Sequence, residues 1–488
     1  MKRSSMLFNF LGAVGLVGLL SGCGSGGGEG VTTGTASGSA SASGTITGFG
    51  SVFVNGKKFE ANDVFVEQDG ESKRCSIGPN DTCGFKKGMQ VTANGSFSGS
   101  QHTANSIRQK DAVEGVVQSV AADGSSLVVM GQAVLVDATT VIDNNIPGQN
   151  ILNLVPGTDH VEVNGHIQPG GIIQATFIEK KLANVTPEVR GFVTDHNDGT
   201  KTFKIGALTV DYTTTPPAGL SDMPNPTQTS WNDLFVEVKG ANAAAFNSVT
   251  TTLTASKVEP EDRGIGNNVD EFEVEGFVRR ASVANGIATF FVGMTEVQTT
   301  ASTEFREGTI DDIVDGAKVS VEGQLSSSGI LTAKHVKFKE SARLEGDIET
   351  LDQNSFTIKG LQSVEVIFND QTRIDNGPLQ GGLHVRVRGR LIGANTIIAT
   401  RIKVESADSD IVLQGQVQQI TGTDFDNLQI LGVTVVTSMI SNGNFEGLED
   451  QPIDRAAFLS AAQVGTLVKV KGRLNGSVVT WREAELED

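Results

Sequence analysis

What this chain has little of narrows its class before any motif is read. It carries one tyrosine and two tryptophans against 24 phenylalanines. Surfaces that hold sugars or single-stranded nucleic acids stack their ligands on exposed Trp and Tyr, so such surfaces are not expected here. Phenylalanine has no polar handle and belongs in a core. Cations are also short: 38 Lys and Arg stand against 57 Asp and Glu, a formal charge of −19. Phosphate backbones and anionic lipid headgroups repel such a protein, which argues against nucleic acid as a partner. Long apolar stretches are missing too. The run from Leu7 to Leu20 is too short and too glycine-rich to span a membrane well.

That run has another use. With Lys2 and Arg3 before it, residues 1–22 have the layout of an export signal. It ends in Leu20-Ser21-Gly22-Cys23, which resembles the lipobox of bacterial lipoproteins. The resemblance implies cleavage before Cys23 and lipidation of that cysteine, so that acyl chains hold the protein on a membrane without spanning it. Gly24 follows, where Asp would resemble an inner-membrane retention signal, and this favours the outer membrane of a Gram-negative cell. Residues 23–43 are almost all Gly, Ser, Thr and Ala and read as a flexible tether. The two remaining cysteines, Cys75 and Cys83, bracket a loop containing Gly78, Pro79 and Asn80. In an oxidising compartment a disulfide is the expected state, worth roughly 2–3 kcal/mol for so short a loop.

What is present is repetition, with a period of roughly seventy residues. A Val-x-Val-x-Gly strand recurs at Val91–Gly95, Val161–Gly165, Val236–Gly240, Val319–Gly323, Val385–Gly389 and Val468–Gly472. Each unit opens on a strand with glycine, at Gly48, Gly115, Gly191, Gly276, Gly346 and Gly415. Five units close on Ala-x-x-Ile or Ala-x-x-Val, beginning at Ala104, Ala175, Ala255, Ala333 and Ala399, and the sixth ends with Trp481 to Leu486. Turn residues every eight to twelve positions, with Val, Ile, Thr and Phe between them, predict an all-β chain. Asn-Gly pairs, including Asn55-Gly56, Asn94-Gly95, Asn164-Gly165 and Asn285-Gly286, are read as turns. Three strands, a loop or short helix, then two strands is the order of an OB-type barrel. The expected architecture is a tandem array of six small five-stranded OB-like β-barrel repeats at 44–111, 112–183, 187–260, 270–340, 341–406 and 409–486. The connection before the fourth strand is expected to hold one helical turn at Ile310–Gly316 and a fuller helix at Ile453–Ala462.

The string Gly48-Phe49-Gly50-Ser51-Val52-Phe53-Val54-Asn55-Gly56, with the Val-x-Val-x-Gly strands and the Ala-x-x-Ile closes, resembles the bacterial repeat family called domain of unknown function 5666. The resemblance covers about Gly44 to Glu485 and implies exported, often lipidated, tandem modules. It carries no catalytic residues.

No motif for chemistry stands out. The six histidines, His102, His160, His166, His196, His335 and His384, never share an equivalent repeat position with an acid or cysteine partner and read as surface residues. His160 and His166 lie on one face of a strand, a faint metal-site pattern. Asp195-His196-Asn197-Asp198-Gly199 alternates oxygen ligands as a calcium loop does, but lacks the later bidentate Glu and reads as a hairpin turn. Glu259-Pro260-Glu261-Asp262 and Asp311-Asp312 are acidic clusters of the same weak kind. No zinc-protease, phosphate-loop or nucleophile-elbow motif occurs. The expectation is a non-enzymatic, lipid-anchored envelope protein without cofactor, acting as a structural or protein-interaction array with an envelope protein as partner. The alternatives are a binder of polysaccharide or of a metal ion such as calcium, and an enzyme accessory.

Overall fold

The computed structural model describes residues 36–487, apart from 69–70, 78–82, 138, 370–371, 393, 423–425 and 449–450. The signal segment and Cys23 lie outside the described residues. The fold is all-β, with a single α-helix, Arg455–Ala461, among the described residues. Asp454 caps that helix by accepting from the Ala457 amide at 2.8 Å. The turn expected at Ile310–Gly316 is a 3-10 helix, Ile310–Asp312.

Three closed five-stranded barrels form the frame. In the first, strand Val113–Val120 pairs with Ser126–Val129, which pairs with Gln132–Leu135. Gln132–Leu135 runs parallel to Ile173–Lys181, that strand pairs with His160–Ile167, and His160–Ile167 returns to Val113–Val120. The barrels at 269–338 and 342–404 close through the same ring, first-second-third-fifth-fourth-first. The alternation of Val-x-Val explains the inward face. Val161, Val163, Val319, Val321, Val385 and Val387 are all fully buried. Each such side chain contributes roughly 1.5–3 kcal/mol by leaving water.

The glycine of Val-x-Val-x-Gly is not a turn. It sits at a bulge opposite the residue of the closing motif, inside the strand in every unit but the third, where Gly240 is the strand's last residue. The pairs are Gly95 with Ala104, Gly165 with Ala175, Gly240 with Ala255, Gly323 with Ala333 and Gly389 with Ala399. In the sixth instance Gly472 faces Trp481. A Cβ on Gly323 would lie 2.0 Å from the Thr332 carbonyl oxygen, and one on Gly95 would lie 1.8 Å from that of Thr103. The two motifs are therefore one feature: a bulge at which two strands approach too closely for any side chain. This corrects the reading of Asn94-Gly95 and Asn164-Gly165 as turns. Asn55 and Asn285, by contrast, do take the left-handed turn conformation, with φ of 54° and 52°.

Three further strand sets, 37–109, 188–260 and 410–487, follow the same order, but their rings are interrupted. Each joins one barrel edge to edge through first strands. Glu188–Phe192 pairs with Val113–Val120, and Asp410–Thr421 pairs with Ala342–Leu351. The third join is not between chain neighbours. Ser37–Phe49 runs parallel to Val269–Ala284, bringing 37–109 against the barrel at 269–338. The result is three sheets of 13 strands. One hydrophobic core runs through 112–258 and another through 342–486; 269–338 keeps its own, and the core of 37–109 takes in Phe177 from the first barrel.

Two boundaries move. The expected tether 23–43 ends earlier, because residues 37–43 are strand, with Ala40 and Ala42 fully buried. Their Ser-Ala alternation is a strand pattern hidden by low-complexity composition. The opening glycine of this set is Gly44, not Gly48. Gly44 pairs with Val91 as Gly115 does with Val161, Gly276 with Val319 and Gly346 with Val385.

Candidate functional site

Alternation along the fourth strands turns the residues between the valines out of each barrel. Neighbouring strand sets cover them. Glu162 and Asn164 are fully buried, Lys469 is 1 % exposed and Glu237 6 %. Charges in such places must be paired or shed their charge, and three clusters show how this is met.

The largest lines a cleft of about 760 Å³ where 37–109, the barrel 113–181 and 188–260 meet. Arg190, on the first strand of 188–260, is its hub. Its guanidinium donates to Asp111 Oδ1 (2.5 Å), to Glu261 Oε1 (2.8 Å) and to Glu237, and Glu188 Oε1 lies 2.9 Å away. Lys239 bridges Glu188 (2.9 Å) and Glu237 (3.2 Å). Glu188 and Glu237 are themselves in hydrogen-bond contact, so they hold one proton between them. Burial, the charge of Asp111 and the contact with Glu237 push Glu188 up to about 9. Glu237 is held well below the usual carboxylate range by Glu188, now its donor, and by the Arg190 charge, which together outweigh its burial. Asp111 Oδ2 and Gln109 Oε1 are buried without a hydrogen-bond partner. The acidic run Glu259-Pro260-Glu261-Asp262 is part of this wall, with Glu259 on Lys257 and Asp262 on Arg108.

The second cluster surrounds Lys469. Its ammonium lies 2.7 Å from Glu307, 2.5 Å from Glu485 and 2.7 Å from Glu487. These three carboxylates are close enough to one another to hold a metal ion, but the lysine occupies the position a cation would take. The third cluster is His166. Its Nε2 sits 3.0 Å from Glu275 Oε1 and 3.2 Å from Thr45 Oγ1, where 37–109, 113–181 and 269–338 converge. Burial lowers its pKa more than Glu275 raises it, because Lys318 already neutralises the same Glu275 oxygen at 2.9 Å.

The sequence-based candidates fall out as follows. Cys75 and Cys83 form a disulfide, with Cα atoms 5.3 Å apart, in the core of 37–109. His160 and His166 are not brought together, since six residues along a strand span about 20 Å. His160 instead meets the Thr158 carbonyl. His166 and His384 are buried rather than on the surface, and His384 Nδ1 lies 2.9 Å from Asp347. Asn197, the last residue of the strand Thr194–Asn197, accepts from the Gly199 and Thr200 amides and so starts the hairpin turn that follows it. Asp312 meets Arg401 at 2.5 Å and closes a capping box with Thr309. Tyr212, Trp231 and Trp481 are all buried. The Trp231 indole donates to the Pro224 carbonyl at 2.8 Å, anchoring the proline-rich connection. Arg190 and Lys469 went unnoticed because each is one ordinary basic residue. Only the carboxylates folded around it single it out. A recurrent threonine was also missed. The hydroxyls of Thr140, Thr215, Thr303 and Thr372 each donate to the carbonyl of the bulge alanine, at 2.7–2.8 Å.

No curated protein matches this chain. A family model described as a domain of unknown function, DUF5666, matches residues 114–179, 275–337, 345–403 and 414–480, just over half of the chain. The Gly48-to-Gly56 string lies outside these stretches. Each match begins at the residue before a first-strand glycine, Gly115, Gly276, Gly346 or Gly415, and covers one strand set of the fold; with four such tandem matches, the chain belongs to the DUF5666 family.

Proposed function

We propose that this protein is a non-enzymatic, lipid-anchored scaffold of the bacterial cell envelope, made of six OB-like modules and used to hold an envelope protein partner. The observation that carries this reading is the edge-to-edge fusion of strand sets, including the chain-distant pair 37–109 and 269–338. Fusion of this kind favours a rigid body over a string of beads. The three interrupted sets are counted as modules because Gly44–Val91, Gly191–Val236 and Gly415–Val468 repeat the register of the closed barrels. The five-strand ring order suits an OB-type barrel. The charged outer faces are spent on one another, which argues for assembly rather than turnover.

Cross-linking and pull-down from detergent-solubilised envelope should recover a specific protein partner. Recovery of none would remove the scaffold reading. Cys23→Ser should release the protein from membranes, and continued membrane association would count against the anchor.

A second reading, an extracellular ligand binder, is favoured by the charged cleft around Arg190, whose unpaired buried atoms, Asp111 Oδ2 and Gln109 Oε1, are both acceptors. Oxygen-rich walls of this kind suit a hard cation such as calcium. An unfolding temperature unmoved by added calcium would exclude that form of it.

A further inference from the structure

Five strand sets draw their third and fifth strands together just before the bulge alanine. The pairs are Glu60 with Thr103, Val134 with Ile173, Val210 with Leu253, Val297 with Leu331 and Val366 with Ile397. In two of these sets the Thr209 amide donates to the Thr251 carbonyl and the Glu365 amide to the Asn395 carbonyl, both at 3.0 Å. The same register in 410–487 would set Thr434, Val435 and Val436 opposite Val478, Val479 and Thr480. Val435 faces Leu428 as Val366 faces Phe356, and Val479 stands two residues before Trp481 as Ile397 stands two before Ala399. Yet Val433–Val436 pairs only with Asn427–Ile430, and 478–480 pairs only with 473–475. Among the described residues this is the one set whose third and fifth strands stay apart there.

Trp481 stands where the other sets have alanine. Its indole is 7 % exposed and lies in the core of 342–486, so it fills the barrel where the others hold a methyl. The two strands come together where the 3-10 turn Thr437–Met439 meets Val478–Glu487. Toward their hairpin turns they lean on the neighbouring barrel instead, Gly432 against Asn395, and Leu474 and Val479 against Gly360. The seam between them has two bare edges. Thr434 follows the closing pair of a two-residue hairpin, Leu431-Gly432, with φ of 52° and 73°, so its N–H and C=O point away from Asn427–Ile430. Thr434, Val478 and Thr480 are exposed. Neither 433–436 nor 478–480 carries a charge, a proline or a bulge, the devices that normally blunt an open edge.

We infer that the seam between Val433–Val436 and Val478–Thr480 is a strand-addition site whose occupant is an extended, uncharged, β-branched tail of the envelope partner. The site rests on the scaffold reading and names what the scaffold grips. A strand entering here is flanked on both sides, so both of its own edges must be free. The folded body of a second copy cannot supply it, because every described strand of this chain already lies in a sheet. A formal charge of −19 also sets two copies against each other. The neutral Val and Thr edges select a neutral guest, held by main-chain bonds with its alternate side chains directed toward the barrel core.

The test uses the full-length protein in detergent and a fluorescein-labelled peptide, Ser-Thr-Val-Thr-Val-Thr-Ser, followed by anisotropy. It should bind at one site. Ser-Thr-Val-Pro-Val-Thr-Ser, which lacks one ladder donor, should bind about tenfold more weakly. Hydrogen exchange should show the Thr434 and Val479 amides open in the free protein and slowed about tenfold by saturating peptide, with those of Glu365 and Ile397 protected throughout. Thr434→Pro removes an outward donor, spares the ladder to 427–430 and should abolish binding; Thr434→Val should keep it. No binding, binding indifferent to either proline, or Thr434 and Val479 amides already protected in the free protein would overturn the inference. So would a concentration-dependent dimer that protects these amides and blocks the peptide, since the occupant would then be a second copy. An envelope partner recovered by pull-down that leaves these amides open would sink this site and spare the scaffold.

Discussion

Gly323→Ala is the sharpest probe of how this fold is built. Gly323 lies at the bulge of the barrel 269–338, opposite Ala333. Its added Cβ would sit 2.0 Å from the Thr332 carbonyl oxygen and 2.9 Å from its carbon, where ordinary contact begins at 3.4 Å. The obstacle is backbone, so no rotamer change relieves it. The strands Lys318–Leu325 and Ile330–Phe338 must part by roughly 1 Å, which costs about 1–3 kcal/mol as overpacking. The ladder bonds on either side of the bulge lengthen past useful geometry and add about 1 kcal/mol each. The expected loss is about 3–5 kcal/mol, a rise of about a hundredfold to a few thousandfold in opening of this barrel. Hydrogen exchange of the amides in 318–338 reads that opening directly. Gly266→Ala, where nothing lies within 4 Å of the new Cβ, is the control and should stay within about 0.5 kcal/mol. A Gly323→Ala loss below about 1 kcal/mol, or an equal effect at Gly266, would refute the bulge as the reason for the recurring glycine.

Three further outcomes follow from the charged clusters and the disulfide. Lys469→Met leaves Glu307, Glu485 and Glu487 facing one another and should cost about 3–5 kcal/mol near neutral pH; thermal unfolding should show part of this recovered below pH 5, as the carboxylates take up protons. Glu188 binds its proton more tightly folded than unfolded, with a pKa raised from 4.5 to about 9. Its contribution is therefore complete below pH 4.5 and is lost as pH rises to about 9. Glu188→Gln, which mimics the neutral carboxyl, should flatten that decline in denaturant titrations across this window, and an unchanged slope would place the proton elsewhere. Replacing Cys75 and Cys83 with alanine should lower the stability of 37–109 by about 2–3 kcal/mol, read as faster hydrogen exchange confined to that set.

Much of the fold was legible in the chain because its causes are local. Period-two alternation at Val161 and Val163, or Val385 and Val387, states which face is apolar, and the structure buries those residues. The Cys75–Cys83 pair was readable from spacing and turn residues. The repeated glycine was visible, but its reason was not: a bulge is a relation between two strands, and Gly165 reads as a turn until Ala175 is placed opposite it. The same holds for residues 37–43, where composition suggested a tether and pairing partners made a strand. The candidate site was less legible still. Of the carboxylates around Arg190 only Glu188 is close in the chain; Asp111, Glu237 and Glu261 come from positions far from it, and nothing local marks them as partners.

The amino-acid order alone settled the all-β class, the recurrence of the strand set and the places of the recurring glycines, because these are written in local pattern and period. Tertiary structure alone decided two things. It joined 37–109 to 269–338 across the intervening barrel, a choice the strands themselves cannot announce because every strand edge offers the same backbone donors and acceptors. It also turned Glu162, Asn164 and Lys469 from outward polar positions into a second, charged interior. Alternation says which residues leave the core of a barrel; what they meet on the far side depends on which neighbour docks there.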